Sequence, residues 1–171
     1  MKTQNLKFGE AVKTLANFAG MQPYTFSKQD EEREKNWKEY KSIFSRYVEK
    51  YHDELFKNPN AEPAKNYIKS RNLTAEEVKK FKIGFVTNNQ NTFEEFSKNF
   101  DKKILKETGL FYFDDKKNKF IERFKDRVIF PINNISGDPI GLGGRTIKSS
   151  SYLAKYILSL IHISEPTRQI R

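Results

Sequence analysis

The sequence reads as an α+β protein, a helical N-terminal part followed by a small, curved, mostly antiparallel sheet. Three observations carry this. Through the first half of the chain, apolar residues recur at steps of three and four, the spacing of amphipathic helices. From Leu110 onward, short apolar runs are separated by turn signals such as Ser136-Gly137-Asp138, the pattern of strands joined by hairpins. Helices dominate first and a small antiparallel sheet comes later, an α+β arrangement.

Taken in order, Phe8, Val12, Leu15 and Ala19 predict a helix over Lys7 to Ala19 that Gly20 stops. Pro23 and Tyr24 form a connector. Lys28 to Phe56 is a long amphipathic helix whose stripe is Trp37, Tyr40, Phe44, Tyr47, Val48, Tyr51 and Leu55. Asp30-Glu31-Glu32 suits its first turn, where the helix dipole favours anions, and Asn58-Pro59-Asn60 ends it. Pro63 to Ser70 is a short helix, joined through Arg71-Asn72-Leu73 to another that Thr74 opens. Thr74 with Glu77 is a capping-box pattern ahead of Val78 and Phe81. Ile83 to Val86 is a short strand. Phe93 to Phe100 and Lys102 to Thr108 are two further helices, the second capped by Asp101 and closed by Gly109.

Leu110 to Phe113 then reads as extended, Asp114 to Asn118 as a turn, and Phe120 to Phe124 as a strand. Arg127 to Ile132 is a strand in which Pro131 calls for a sheet edge or a strand end. Pro139 to Leu142 leads into Gly143-Gly144-Arg145. There is no internal repeat and no low-complexity tract.

Composition narrows the function classes. The 171 residues fit one domain or a piece of a larger protein. With 15 Phe, 8 Tyr and 1 Trp the chain can build a core, unlike disordered chains, which are poor in aromatics. The absence of cysteine excludes disulfides, thiolate zinc ligands and a thiol nucleophile, and two histidines exclude a histidine-rich metal site. No apolar run approaches the roughly 20 residues of a spanning helix, and Met1 to Gly9 lacks a signal-peptide stretch. The expectation is a soluble, cytoplasmic protein whose net charge of +10 favours an anionic partner.

The C-terminus stands apart. Leu158 to Arg168, LSLIHISEPTR, resembles the conceptual translation of a transposase sequencing adaptor, which places the end of biological sequence near Ile157 and makes residues 158–171 a non-native tail. Without Arg168, Arg171 and Glu165 the net charge is still +9. His162 and Pro166 then carry no functional information.

The richest stretch is Glu122 to Arg145. Arg123, Lys125 and Arg127 alternate, so an extended chain would line one face with three cations, a rail for a phosphate backbone that arginine forks fit well. A solvated strand face with ion pairs to Glu122 and Asp126 is the equal alternative. Gly141-Leu142-Gly143-Gly144-Arg145 fails the dinucleotide fingerprint at Thr146 and lacks the Lys-Ser/Thr ending of a P-loop. Its glycines instead let a strand bend or another backbone come close, and if that neighbour is a nucleic acid, Arg145 can clamp a phosphate. Asp114-Asp115 reads as a turn neutralised by Lys116, Lys117 and Lys119, and His52 as an exposed helical residue. The residues contain no complete catalytic set. The aromatic face of the long helix is a core stripe, because stacking platforms set aromatics on an open sheet among cations.

ERFKDRVIFPINNISGDPIGLGGRT, followed by Leu153-Ala154-Lys155-Tyr156-Ile157, resembles the bacterial DnaG-type DNA primase family, in which a basic strand, a Gly-Gly-Arg turn and a Lys-Tyr-φ-Asn-Ser-Pro-Glu-Thr motif follow in this order. Phe8-Gly9-Glu10-Ala11-Val12 and the run from Tyr67 through Ile83-Gly84-Phe85 are similar too. Asn72 stands where a glycine is usual, and extra serines at 149–151 lengthen the loop before Lys155.

The resemblance implies three parts: residues 1–26 following an absent zinc-binding domain, residues 27–157 as the N-terminal subdomain of the catalytic core cut before Toprim, and the tail. It implies that Arg71, Arg123, Lys125, Arg127 and Arg145 bind template, and that Lys155 and Tyr156 lie near the active centre. It implies no catalytic residue, metal or cofactor in this chain. For the full-length protein it implies Mg2+ at Toprim, Zn2+ in the zinc domain, and two-metal synthesis of RNA primers from ribonucleotides on single-stranded DNA at the replication fork, with a replicative helicase as partner. This chain alone would be inactive. The rivals are a non-enzymatic basic single-stranded nucleic-acid-binding or protein-docking adaptor, and a small nucleotide-binding enzyme using the Gly-Gly loop.

Overall fold

A computed structural model describes residues 8–21, 28–87, 91–148 and 154–160. The Pro23-Tyr24 connector, the serines at 149–151 and the tail from Ile161 onward lie outside them. The chain divides into two units, Met1–Lys35 and Asn36–Arg171. In the first, helix α1 (Phe8–Phe18) ends as the sequence predicts. Gly20 takes φ +65°, which glycine adopts without steric cost, and Met21 N–H closes the turn on Ala16 O at 2.9 Å.

Helix α2 (Lys28–Lys57) begins in the first unit, and its part from Asn36 onward organises the second. Its expected stripe packs: Phe44, Tyr47, Val48, Tyr51 and Leu55 are buried, and Trp37 and Tyr40 partly so. The stripe is wider than predicted and takes in Ile43 and His52. The expectation that His52 is exposed is therefore corrected. Four residues after Val48 and three before Leu55, it falls on the buried face, and its Nδ1 lies 2.7 Å from Ile83 O.

After a 3-10 turn at Pro59–Ala61 come α3 (Glu62–Ser70) and α4 (Ala75–Lys80). Asn72, between them, has φ +57°. It adopts the left-handed conformation that a glycine would fill, which asparagine tolerates better than most residues. The capping box forms: Glu77 N–H donates to Thr74 Oγ1 (3.2 Å), and Thr74 N–H donates to Glu77 Oε2 (2.8 Å). Strand β1 (Gly84–Val86) leads to α5 (Thr92–Phe96), which is shorter than expected. Ser97 Oγ donates back to Glu94 O at 3.0 Å, a local bond that competes with further helix. In α6 (Lys102–Glu107), Asp101 caps Lys103 and Ile104 N–H, and Gly109 takes φ +68° beyond the end.

Strands β2 (Phe111–Asp114) and β3 (Lys119–Glu122) form a separate hairpin. Asp114 Oδ1 accepts from Lys116 and Lys117 N–H, so the acidic pair belongs to the turn as predicted. Strands β4 (Arg127–Asn133), β5 (Pro139–Thr146) and β6 (Tyr156–Leu160) join β1 in an antiparallel sheet of order β1-β4-β5-β6. β1 pairs only with Arg127–Ile129. Pro131 thus sits where β4 has no neighbour on that side, and its missing N–H breaks no ladder there. One face of the sheet, with Val86, Ile129 and Leu142, packs with Phe124 on the α2 stripe. The other face, through Phe85 and Val128, packs on Leu55, Ala64, Ile68 and Val78.

Candidate nucleic-acid interface

Side chains directly across paired strands share a face. The registers Phe85↔Val128, Val128↔Arg145 and Arg145↔Tyr156 therefore make one row across all four strands. The first two members are buried under α3 and α4. Towards β6 the row emerges, with Arg145 half-buried and Tyr156 61% exposed. Tyr67 and Arg71, one helical turn apart at the end of α3, meet it there.

The arginines and tyrosines interlock. The Arg145 guanidinium lies 4.2 Å from the Tyr67 ring centroid and 5.7 Å from that of Tyr156. Its Nε donates to Tyr156 Oη at 3.2 Å and its Nη1 to Thr146 O at 3.1 Å. Arg71 lies 5.4 Å from the Tyr67 ring and donates from Nε to Tyr67 Oη at 3.0 Å. The Arg145 hydrogen bond, with the charges of Arg145, Arg71 and Lys155, holds the Tyr156 hydroxyl below its ordinary pKa. A phenol so affected reports a positive local potential. None of these three cations forms an ion pair among the described residues. Stacked, oriented guanidiniums of this kind lose little freedom when they take up a phosphate.

The expected rail of Arg123, Lys125 and Arg127 does not form. Residues 123–126 are a turn between β3 and β4, with Asp126 at φ +55°. Arg123 is exposed beside Gly109, in a 360 Å³ cavity shared with Lys106 and Ser159. Lys125 lies with Asn91, Thr92 and Glu122 at another. Arg127 is buried, and its fork donates to Ala154 O (2.8 Å) and Lys155 O (3.3 Å). It fixes the backbone that carries Lys155 and Tyr156. The structure thus gathers Arg71, Arg145 and Tyr156, with Lys155 next to Tyr156 in the chain and Arg127 beneath, and leaves Arg123 and Lys125 elsewhere. Of the expected ion pairs, Asp126 pairs with Lys148 (2.7 Å) and Glu122 is buried.

Sequence reasoning missed Tyr67 as a member of the cluster. The available signal was its place four residues before Arg71 on one helix, the spacing that stacks side chains on a common face.

Among the described residues no three His, Asp or Glu side chains stand close enough to hold a metal ion, and the chain has no cysteine. The described residues therefore do not fit a Mg2+ or Zn2+ ion. No described helix is long and apolar enough to cross a membrane. Leu158 to Leu160, expected to be foreign, complete β6, and Ser159 Oγ donates to Thr108 O at 2.8 Å.

The family model described as the DNA primase catalytic core, N-terminal domain, matches residues 50–160. The DNA primase of Lactococcus lactis is 34% identical over 88% of this chain, which spans 23% of that relative's length. The solved structure of a DnaG primase catalytic domain bound to ssDNA superposes with a TM-score of 0.64 and 28% identity, over 72% of this chain and 39% of the other. The Aquifex aeolicus primase structure, comprising zinc-binding and RNA polymerase domains, superposes with a TM-score of 0.58 and 25% identity, over 91% of this chain and 36% of the other.

Proposed function

This chain belongs to the DNA primase catalytic-core N-terminal domain family, and from that premise we propose that it is the template-positioning part of a DNA primase. The parent protein is then a DNA-directed RNA polymerase, a nucleotidyltransferase that makes short RNA primers from ribonucleotides on single-stranded DNA. Mg2+, Zn2+ and a replicative helicase belong to that whole protein. The relative bound to ssDNA supports the substrate class. The observation that carries the reading is the placement of the Arg145 guanidinium against the Tyr67 and Tyr156 rings beside Arg71.

In this reading Arg145 and Arg71 grip the template phosphates, and Lys155 adds charge where β6 begins. Arg127 is a positioning residue, because its fork is committed to the backbone of residues 154 and 155. No described residue is given a step in phosphoryl chemistry.

The test is fluorescence anisotropy of the chain with a labelled DNA single strand across a salt series. With about four phosphates neutralised, the log–log salt slope is roughly −3. Arg145→Ala and Arg71→Ala each weaken binding, and each flattens the slope by about 0.7. Unchanged affinity and slope in both variants would remove the template role.

A further inference from the structure

Three glycines stand in β5 just before Arg145, and the fold accounts for two of them. A Cβ on Gly144 would fall 2.4 Å from Cδ1 of the buried Phe124 ring. One on Gly141 would fall 2.8 Å from Ser159 O and 2.5 Å from Leu160 Cδ2. Gly143 differs: the nearest heavy atom to its Cβ position is Phe130 O at 3.8 Å, an ordinary contact. Its φ is not positive, so the backbone does not demand glycine either. An interior strand position of this kind gains stability from almost any larger residue, and from a β-branched one above all.

Gly143 lies two residues from Arg145 on the same face, about 7 Å along the strand. Its register partners are Phe130, half-buried, and Leu158. The missing side chain leaves a shallow strip of bare backbone against the row that carries Arg145 and Tyr156. The cations along that border select an anionic occupant.

We infer that Gly143 is a contact point for the nucleic acid itself, where a ribose and base of the single strand lie directly on the sheet while Arg145 and Arg71 hold the adjoining phosphates. This rests on the template reading above. It explains the glycine as a stability sacrifice at the one position of the three where the chain's own packing does not require it.

The experiment compares Gly143→Ala, Gly143→Val and Gly144→Ala in the whole chain, by thermal melting and by anisotropy with a labelled thymidine oligonucleotide. Both Gly143 variants keep or raise Tm, and Gly144→Ala lowers it. Affinity falls about threefold for Gly143→Ala and about tenfold for Gly143→Val, as expected for steric exclusion that grows with side-chain size. The salt slope stays that of the unaltered chain, because no charge is lost. A lower Tm for both Gly143 variants assigns the glycine to the fold and overturns the inference. Unaltered affinity for Gly143→Val also overturns it, and hands the strip to some other partner. If Arg145→Ala still weakens binding in that case, the template reading survives; if it does not, both fall together.

Discussion

Two regions of this molecule set a charged side chain against a pair of tyrosines, and they do opposite things with the charge. On the sheet face, Tyr67 and Tyr156 accept hydrogen bonds from Arg71 and Arg145, whose charges remain beside solvent. In the core, Tyr51 donates to Glu122 Oε1 and also bonds Thr92 Oγ1 at 2.6 Å. Glu122 is 3% exposed, and its Oε2 and the Tyr47 hydroxyl are buried without a hydrogen-bond partner. Burial pushes this carboxyl up to about 7, against the pull of the Tyr51 hydrogen bond and of Lys50 and Lys125. Burial and Glu122 likewise hold the Tyr47 and Tyr51 hydroxyls un-ionised. Depth decides the outcome: a charge at the surface is available to an outside ligand, whereas burial shifts the core carboxyl toward its protonated form and commits it to the fold.

The largest effect that would break this contrast concerns Glu122. Its pKa is raised from 4.5 to about 7 on folding. The stability of the site is therefore complete below about pH 4.5 and is lost as pH rises through about 7, because the unfolded carboxyl ionises first. The full loss is about 3 kcal/mol at 1.36 kcal/mol per unit. Glu122→Gln keeps an acceptor for Tyr51 and cannot ionise. Urea melts at pH 5 and pH 8 should show the variant gaining on the unaltered chain only at pH 8. Equal pH dependence in both would place the carboxylate charge in a better-solvated site than the core network provides.

Arg127 is the intermediate case, a buried side chain that stays charged. Burial lowers its pKa, but an arginine stays protonated through physiological pH, and two backbone carbonyls satisfy its fork. Arg127→Met strands those carbonyls and should cost about 1–3 kcal/mol. Oligonucleotide affinity should fall as well, because residues 154–156 lose their anchor. Arg127→Lys should rescue neither property, since an ammonium cannot span both carbonyls. Weaker binding at unaltered stability would instead return Arg127 to direct contact with phosphate, and the surface cluster would have to be redrawn around it.

The elements were legible in the sequence wherever periodicity or a local cap defines them. The α2 stripe, the Thr74–Glu77 box, the Asp101 cap and the hairpin through Gly137 need only neighbours in the chain. The cationic rail does not form because residues 123–126 turn, with Asp126 at positive φ, and no glycine or proline announces that turn. His52 was misplaced because a seven-residue stripe gives no hint of its own width. The pairing of Arg71 with Arg145 was anticipated from family resemblance alone. Its physical cause, the row Phe85–Val128–Arg145–Tyr156, is set by the register of three strand pairs distant in sequence. Burial of Glu122 was illegible for the same reason, since it depends on how the β2–β3 hairpin lies against α2.

The smallest expected effect sharpens the comparison from the surface side. Tyr67→Leu removes the ring under Arg145 but leaves both cations in place. A surface cation–π contact is worth about 0.5–1 kcal/mol, so affinity for single-stranded DNA should fall about two- to fivefold, and Tm should fall only slightly, because Tyr67 is partly buried against the second core cluster and leucine keeps an apolar side chain there. The salt slope should not change, since the number of phosphates met is the same. Tyr67→Phe keeps the ring and removes only the oxygen that receives Arg71 Nε. If it binds like the unaltered chain, Tyr67 acts by stacking on Arg145. If it binds as weakly as Tyr67→Leu, the hydroxyl that aims Arg71 is what counts. Either result separates this tyrosine from Tyr51, whose hydroxyl cannot be removed without stranding a buried carboxyl.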